Sequence, residues 1–359
     1  MAFRFLKNLG IRSICALFPK ARSNRPIKRC LAVATTGLGD SLWSTPAIHA
    51  LKKSSFEIDL LTNPLGKNLF LHNPDIRKTF LIKEPLLWQS LRFKQKLEKE
   101  RYDAAFIFHS SQRLLLPLLV CSGIPRIFGT KGQHKGLDSL LTDPVKTSLH
   151  EIDRRRKLIE EVGASILDPS LRYFFTEEEK SWGESWIQEK NPTKKPLVLL
   201  HPGAKDRYKC WPISHYALLG KRLEEELSCQ IVIGMGAGEE DLGNALVQDL
   251  PKSLLAGPLP LRNYASLLGA TDLIITNDTG PMHLACALKK PTLALFSPTD
   301  PKKCGPYDVP AARILKRPRS CSPCLGRSCR LPFCLRQISV RAAFEEAASL
   351  LESQIPFER

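Results

Sequence analysis

Asp272-Leu273-Ile274-Ile275-Thr276-Asn277-Asp278-Thr279-Gly280-Pro281-Met282-His283 sets an apolar run, a short polar loop and the start of a helix in direct succession. A short apolar run bounded by turn residues reads as a strand buried on both faces of a parallel sheet, and the segment from Gly280 to Leu288 as its crossover helix. Unpaired amides at that helix start, with the Thr279 hydroxyl beside them, form a natural anion site. His283 lies four residues after Thr279 and so shares its helical face. A plain capped helix carrying a packed histidine accounts for the same spacing, and both readings stand at this point.

The pattern repeats on either side of this stretch. Leu197 to Leu200, Gln230 to Ile233, Asp272 to Thr276 and Pro291 to Phe296 read as strands; Tyr216 to Glu226, Glu239 to Asp249 and Leu261 to Leu268 read as helices between them. An earlier alternation has strands at Leu31 to Thr35, Ile58 to Thr62, Thr79 to Ile82 and Ala104 to Phe108, a helix at Trp88 to Lys99, and a buried helix at Leu114 to Val120. Alternating strands and helices imply parallel sheets, and 359 residues suffice for two cores. The expectation is an α/β protein with a basic leader over 1–30, a Rossmann-like domain over 31–180, a linker over 181–196, a second Rossmann-like domain over 197–335 and a terminal segment over 336–359.

Three further loops fall at predicted carboxyl ends of strands. In Thr35-Thr36-Gly37-Leu38-Gly39-Asp40, Gly37 and Gly39 permit a sharp turn and Asp40 stands at a helix start, where a capping role would explain it equally well. His201-Pro202-Gly203-Ala204 leads to Lys209-Cys210-Trp211-Pro212, whose lysine could meet phosphate oxygens as a point charge. Gly234-Met235-Gly236-Ala237-Gly238-Glu239 brings a glutamate that could bind ribose hydroxyls or complement a helix dipole. Four such loops split between two domains imply one cleft between them. The chain has no Asp-x-Asp triplet to hold a divalent ion, so Lys209 and the Thr279 helix start would have to offset any diphosphate charge.

A net charge of +17 points to an acidic partner: nucleic acid, an anionic membrane face or a phosphorylated substrate. Residues 1–30 hold Arg4, Lys7, Arg12, Lys20, Arg22, Arg25, Lys28 and Arg29 without an acid. Interspersed with Phe3, Phe5, Leu6 and Phe18, they suit either a segment resting on anionic lipid or a solvated terminus. The leader has no apolar run long enough to span a bilayer and no signal-peptide pattern. Eleven cysteines without an export signal imply a reducing compartment. Cys321, Cys324, Cys329 and Cys334 are spaced as metal ligands can be, yet sit in a Pro- and Arg-rich loop that fits a packed, metal-free cluster better.

Together, Gly37-Leu38-Gly39-Asp40 with Ser44-Thr45-Pro46-Ala47, His201-Pro202-Gly203-Ala204 with Lys209-Cys210-Trp211-Pro212, Asn277-Asp278-Thr279-Gly280-Pro281-Met282-His283-Leu284-Ala285, and Phe296-Ser297-Pro298-Thr299-Asp300-Pro301 resemble glycosyltransferase family 9, the lipopolysaccharide heptosyltransferase family. The resemblance implies a GT-B fold, two Rossmann-like domains facing an interdomain cleft, with the terminal helix packing back on the first domain. It implies an inverting, metal-independent transfer without a cofactor, from ADP-heptose or a related nucleotide sugar to an acidic acceptor of the lipid A-Kdo type. By position Asp40 would be the general base, beside an acceptor-side loop of Gly37 and Gly39. Lys209 would contact the diphosphate, Glu239 the ribose or adenine, and Asp278 the sugar hydroxyls. Thr279 and Gly280 would cradle the diphosphate, and His283 would lie on the donor side. The expected location is cytoplasmic, peripheral on the anionic inner face of the inner membrane. Alternatives are a different donor or acceptor within the family, or a non-catalytic nucleic-acid or membrane binder; no recognisable nucleic-acid module supports the latter.

Overall fold

A computed structural model describes residues 2–17, 26–82, 90–110, 112–329 and 333–353. The chain forms two compact units, Met1–Pro169 and Ser170–Arg359.

The first unit contains strands β1 (Arg29–Ala34), β2 (Glu57–Thr62), β3 (Lys78–Leu81), β4 (Ala104–His109), β5 (Arg126–Thr130) and β6 (Asp143–Val145). Its helices are α1 (Ala2–Ala16), α2 (Leu38–Leu42), α3 (Thr45–Lys53), α4 (Pro64–Leu69), α5 (Ser90–Glu100), α6 (Leu115–Cys121) and α7 (Glu151–Glu160). All strand pairs are parallel, in the order β3-β2-β1-β4-β5-β6. Cys30 to Ala34 are buried, as a central strand covered by helices on both faces must be. Because β1 lies between β2 and β4, the sheet reverses direction of growth there, and the loops after β1 and β4 meet at its carboxyl edge. The pairing of these two strands slips between Val33 and Ala34, so that Ala34 faces His109 and Phe108 is passed over.

The second unit repeats the plan with β7 (Leu197–His201), β8 (Gln230–Gly234), β9 (Leu254–Ala256), β10 (Leu273–Asn277), β11 (Thr292–Phe296) and β12 (Ala312–Lys316). Its helices are α8 (Glu177–Lys190), α9 (Ile213–Glu226), α10 (Glu240–Asp249), α11 (Leu261–Ala270), α12 (Gly280–Ala287), α13 (Pro301–Cys304), α14 (Phe333–Arg336) and α15 (Val340–Glu352). The sheet is again wholly parallel, in the order β12-β11-β10-β7-β8-β9, which puts the reversal between β7 and β10.

Three segments take their places within the two units. The acidic segment read as a linker is α8, which opens with a capping box of Thr176 and Glu179 and belongs to the second unit. It packs on α11 so closely that a Cβ on Gly183 would lie 2.5 Å from Ser266 Oγ, while the Gly183 amide donates to that oxygen at 3.0 Å. The terminal helix α15 buries Ala343, Ala347 and Leu350 in the core of the second unit, against α9, β10 and β11. In the leader, β1 begins at Arg29, and α1 docks in the first unit through buried Cys15 and an Asn8 amide donating to the Lys135 carbonyl at 3.2 Å. The Arg12 guanidinium donates to the Gly136 carbonyl at 2.6 Å. Lys20, Arg22 and Arg25 lie outside the described residues, as does the first part of the helix expected from Trp88. No helix among the described residues is long and apolar enough to cross a membrane.

Candidate active site

Each unit presents candidate residues at the point where its sheet reverses, and Glu239 follows the neighbouring strand β8. In the second unit, β10 ends in Asn277, whose side chain ties the loop after β7 to the loop after β10. Its amide donates to the Pro202 carbonyl at 2.8 Å, and its Oδ1 accepts from the Trp211 amide at 2.9 Å. Trp211 is fully buried and donates from Nε1 to the Ile338 carbonyl at 3.0 Å. This frame holds the short turn Arg207–Lys209 beside Asp278, and Lys209 Nζ lies 2.7 Å from Asp278 Oδ2. Burial works to lower the Lys209 pKa, but the adjoining carboxylate outweighs it and holds the ammonium above its ordinary value. A fixed, fully charged cation thus stands at the carboxyl edge of the sheet.

Thr279 caps α12 with extended backbone, and its hydroxyl makes no cap hydrogen bond to the helix; it lies 3.3 Å from Thr276 Oγ1. Pro281 is in the first turn and has no N–H, so the amides of Gly280 and Met282 are the ones the helix start offers to an anion. His283 is buried on the same helix.

Glu239 joins the loops after β7 and β8. Its carboxylate accepts from the Gly236 amide at 2.7 Å and lies 3.4 Å from Nε2 of buried His201. A Cβ on Gly203 would stand 2.2 Å from the Glu239 carboxyl, so this contact requires glycine there. His201 Nδ1 is in turn 2.8 Å from the Tyr264 hydroxyl, and burial keeps its pKa below the ordinary histidine value despite the nearby Glu239. His201 and Tyr264 form a support that the loop sequence does not reveal, since Tyr264 comes from α11.

In the first unit, Gly37 caps α2 and Asp40 is the third residue of that helix. Among the described residues the Asp40 carboxylate makes no hydrogen bond; its nearest titratable neighbour is His109, with Nδ1 3.9 Å from Oδ2. Both side chains are about one-third exposed, at 30% and 29%. The loop beneath is fixed by the Asn63 amide, which donates to the carbonyls of Thr35 and Thr36 at 3.2 and 2.9 Å. Arg155 of α7 is fully buried, donates to the Asp40 carbonyl at 3.1 Å, and is neutralised by Glu151 at 2.8 Å. Gly37 and Gly39 shape this loop; His109 and Arg155 are the participants that sequence reading missed.

Cys321, Cys324, Cys329 and Cys334 are free thiols lining one cavity of about 450 Å³ with Tyr208 and Arg319. Among the described residues no group of three Cys, His, Asp or Glu side chains is placed to hold a metal ion.

Comparison with known proteins identifies the family of the chain. The model of glycosyltransferase family 9 (heptosyltransferase) matches residues 90–334. Lipooligosaccharide heptosyltransferase 2 of Campylobacter jejuni subsp. jejuni serotype O:6 is 24% identical over 328 residues, covering 88% of this chain and 96% of the relative. Lipopolysaccharide heptosyltransferase 2 of Escherichia coli K12 is 28% identical over 301 residues, 76% of this chain and 84% of that one. The solved structure of E. coli ADP-heptose lps heptosyltransferase II shares the fold with a TM-score of 0.74 at 22% identity, covering 90% of this chain and 99% of that one. Two parallel sheets of one topology, with a carboxylate at the reversal of the first and an ammonium and open helix start at the reversal of the second, are thus a GT-B architecture, and the chain belongs to glycosyltransferase family 9, the heptosyltransferases.

Proposed function

We propose that this glycosyltransferase moves heptose from ADP-heptose to an acidic, lipid A-Kdo type acceptor with inversion at the anomeric carbon. The observation that carries the reading is the Lys209–Asp278 pair beside the open start of α12. Lys209 and the Gly280 and Met282 amides serve the diphosphate, which must leave with its charge offset. Asp278 orients the sugar hydroxyls, Glu239 meets the ribose or adenine, and His283 completes the donor side. No metal or cofactor enters this scheme.

Asp40 removes the proton from the acceptor hydroxyl as that oxygen attacks the anomeric carbon opposite the departing ADP. An aspartate has an ordinary pKa of about 3.9, so proton transfer is late and accompanies bond formation. Stabilisation of the leaving group then contributes as much as the base.

The acceptor is membrane-borne, and we assign α1 to the anionic inner face of the inner membrane, with the enzyme otherwise cytoplasmic. On the docked helix Leu9, Ile14 and Leu17 are 51%, 59% and 81% exposed, in a leader whose sequence is rich in basic residues. Donor identity is tested by calorimetric titration with ADP-heptose, ADP-glucose and UDP-sugars. Preferential binding of ADP-heptose is expected; equal or tighter binding of a UDP-sugar contradicts the reading.

A further inference from the structure

We propose that His109 is a proton-relay residue, taking on the acceptor proton that Asp40 removes and passing it to solvent. The inference rests on Asp40 being the base. It starts from the register slip between β1 and β4, which passes over Phe108 and sets His109 opposite Ala34, the last residue before the Asp40 loop. Irregularities of this kind re-aim a side chain at a sheet edge. Phe108 is fully buried and keeps its place in the core, while His109 remains partly open to solvent.

The ring is held rather than loose. Nδ1 lies 2.9 Å from the Thr36 hydroxyl and 3.9 Å from Asp40 Oδ2, so the imidazole edge spans both groups of one loop. The Thr35 amide donates to the His109 carbonyl at 3.2 Å, binding the two chain segments together at the same point. Among the described residues Nε2 has no protein partner, and it is not a buried atom. One nitrogen therefore lies beside the base and the other is accessible and without a protein partner among the described residues, the arrangement a relay requires.

The proton balance is simple. The acceptor O–H bond breaks, its oxygen forms the new bond to the anomeric carbon, and the bond from that carbon to the diphosphate oxygen breaks with its electron pair leaving on ADP. The proton first resides on Asp40. Transfer to the imidazole restores the carboxylate and makes an imidazolium, which loses a proton to water. Asp40 alone would release the same proton; the imidazole draws it away from the newly formed glycosidic oxygen.

His109 must be neutral to accept. Burial holds its pKa below the ordinary histidine value, opposed by the charge of Asp40 and reinforced by Arg155; Glu151 and Arg154 act in the same opposed senses more weakly. His134 is also near enough to act on it, and burial lowers its pKa too. The imidazole is thus neutral near pH 7 and becomes charged only in more acid solution, where the relay fails.

The test is kcat against pH from about 5 to about 9, across the histidine range, with both substrates saturating. Wild type, Asp40→Asn, His109→Asn and His109→Ala with and without added imidazole are compared. Wild-type kcat should fall as pH drops below the ordinary histidine value. In the His109 variants that limb should disappear, kcat at neutral pH should drop by roughly ten- to a hundredfold, less than on loss of the base, and imidazole should restore part of the His109→Ala loss. A severely impaired Asp40→Asn beside His109 variants that keep the wild-type profile, or that slow without losing the limb or responding to imidazole, overturns the relay and leaves the base standing. A near-normal Asp40→Asn overturns both. If the His109 variants do not fold, the wild-type profile still decides, because the absence of an acid limb in the histidine range contradicts the relay.

Discussion

Lys209 shows how a single residue's surroundings set its task. Its charge persists despite burial because Asp278 lies 2.7 Å away, and one partner leaves the ammonium's other protons for a phosphate oxygen. On the proposed reading the diphosphate meets this charge both before and during departure, so Lys209→Ala should reduce donor affinity and turnover together. Calorimetric titration beside steady-state rates measures both, and a fall in one without the other contradicts the assignment. Asp40, Lys209, Glu239 and Asp278 could be proposed from sequence because each lies in the segment that follows a strand. The residues that hold them could not. His109, Arg155 and Tyr264 lie 69, 115 and 25 residues from Asp40, Asp40 and Glu239, and only the sheet order brings them together. His109 had one signal available, as a polar residue ending an otherwise apolar strand that the Rossmann order places beside β1.

Among the elements, most interior strands and the edge strand β3 were readable, while interior β5 and the edge strands β6, β9 and β12 were not. β1, β2, β7, β10 and β11 are apolar runs buried on both faces. β6 contains Pro144, β9 has three residues, and β12 is mostly exposed, so none carries the apolar pattern that marks a buried strand. The role of α8 was hidden for a related reason: its sequence is acidic and its contact with α11 is made by a glycine, not by a stripe of large apolar side chains. Gly183→Ala should destabilise the second unit by about 1–3 kcal/mol, because the added methyl meets both the Ser266 side chain and its backbone. A thermal melt that is unchanged would show that the two helices can part without loss. For α1, docking through Cys15 and Asn8 makes deletion a poor test, since it would uncover the first unit's core. Replacing Leu9, Ile14 and Leu17 with Ser leaves the docked face intact. Co-sedimentation with anionic vesicles at low salt should drop sharply, and undiminished sedimentation would remove α1 from the membrane contact.

For the whole molecule, four histidines held neutral by burial link stability to pH. His109, His134, His201 and His215 all have pKa values lowered in the fold, burial being the largest cause in each. As pH falls, the unfolded chain takes up these protons first, at about 6.5, so stability is fully present above that value and is lost as pH falls through it toward the depressed native values. Urea midpoints should decline from about pH 7.5 to about pH 5.5, in the histidine range, and a flat profile would contradict the shifts. The two units share one topology, yet their reversal points carry opposite chemistry: a carboxylate with an imidazole in the first, an ammonium with an open helix start in the second. A base and a leaving-group cradle are what an inverting transfer without a metal needs. The most direct test is the rate of ADP release from saturating ADP-heptose with a lipid A-Kdo acceptor, for wild type and Asp40→Asn. Asparagine keeps the size of the side chain and removes the proton acceptor, so turnover should fall by roughly 10²- to 10⁴-fold with donor affinity nearly unchanged; near-normal turnover in Asp40→Asn would contradict the account.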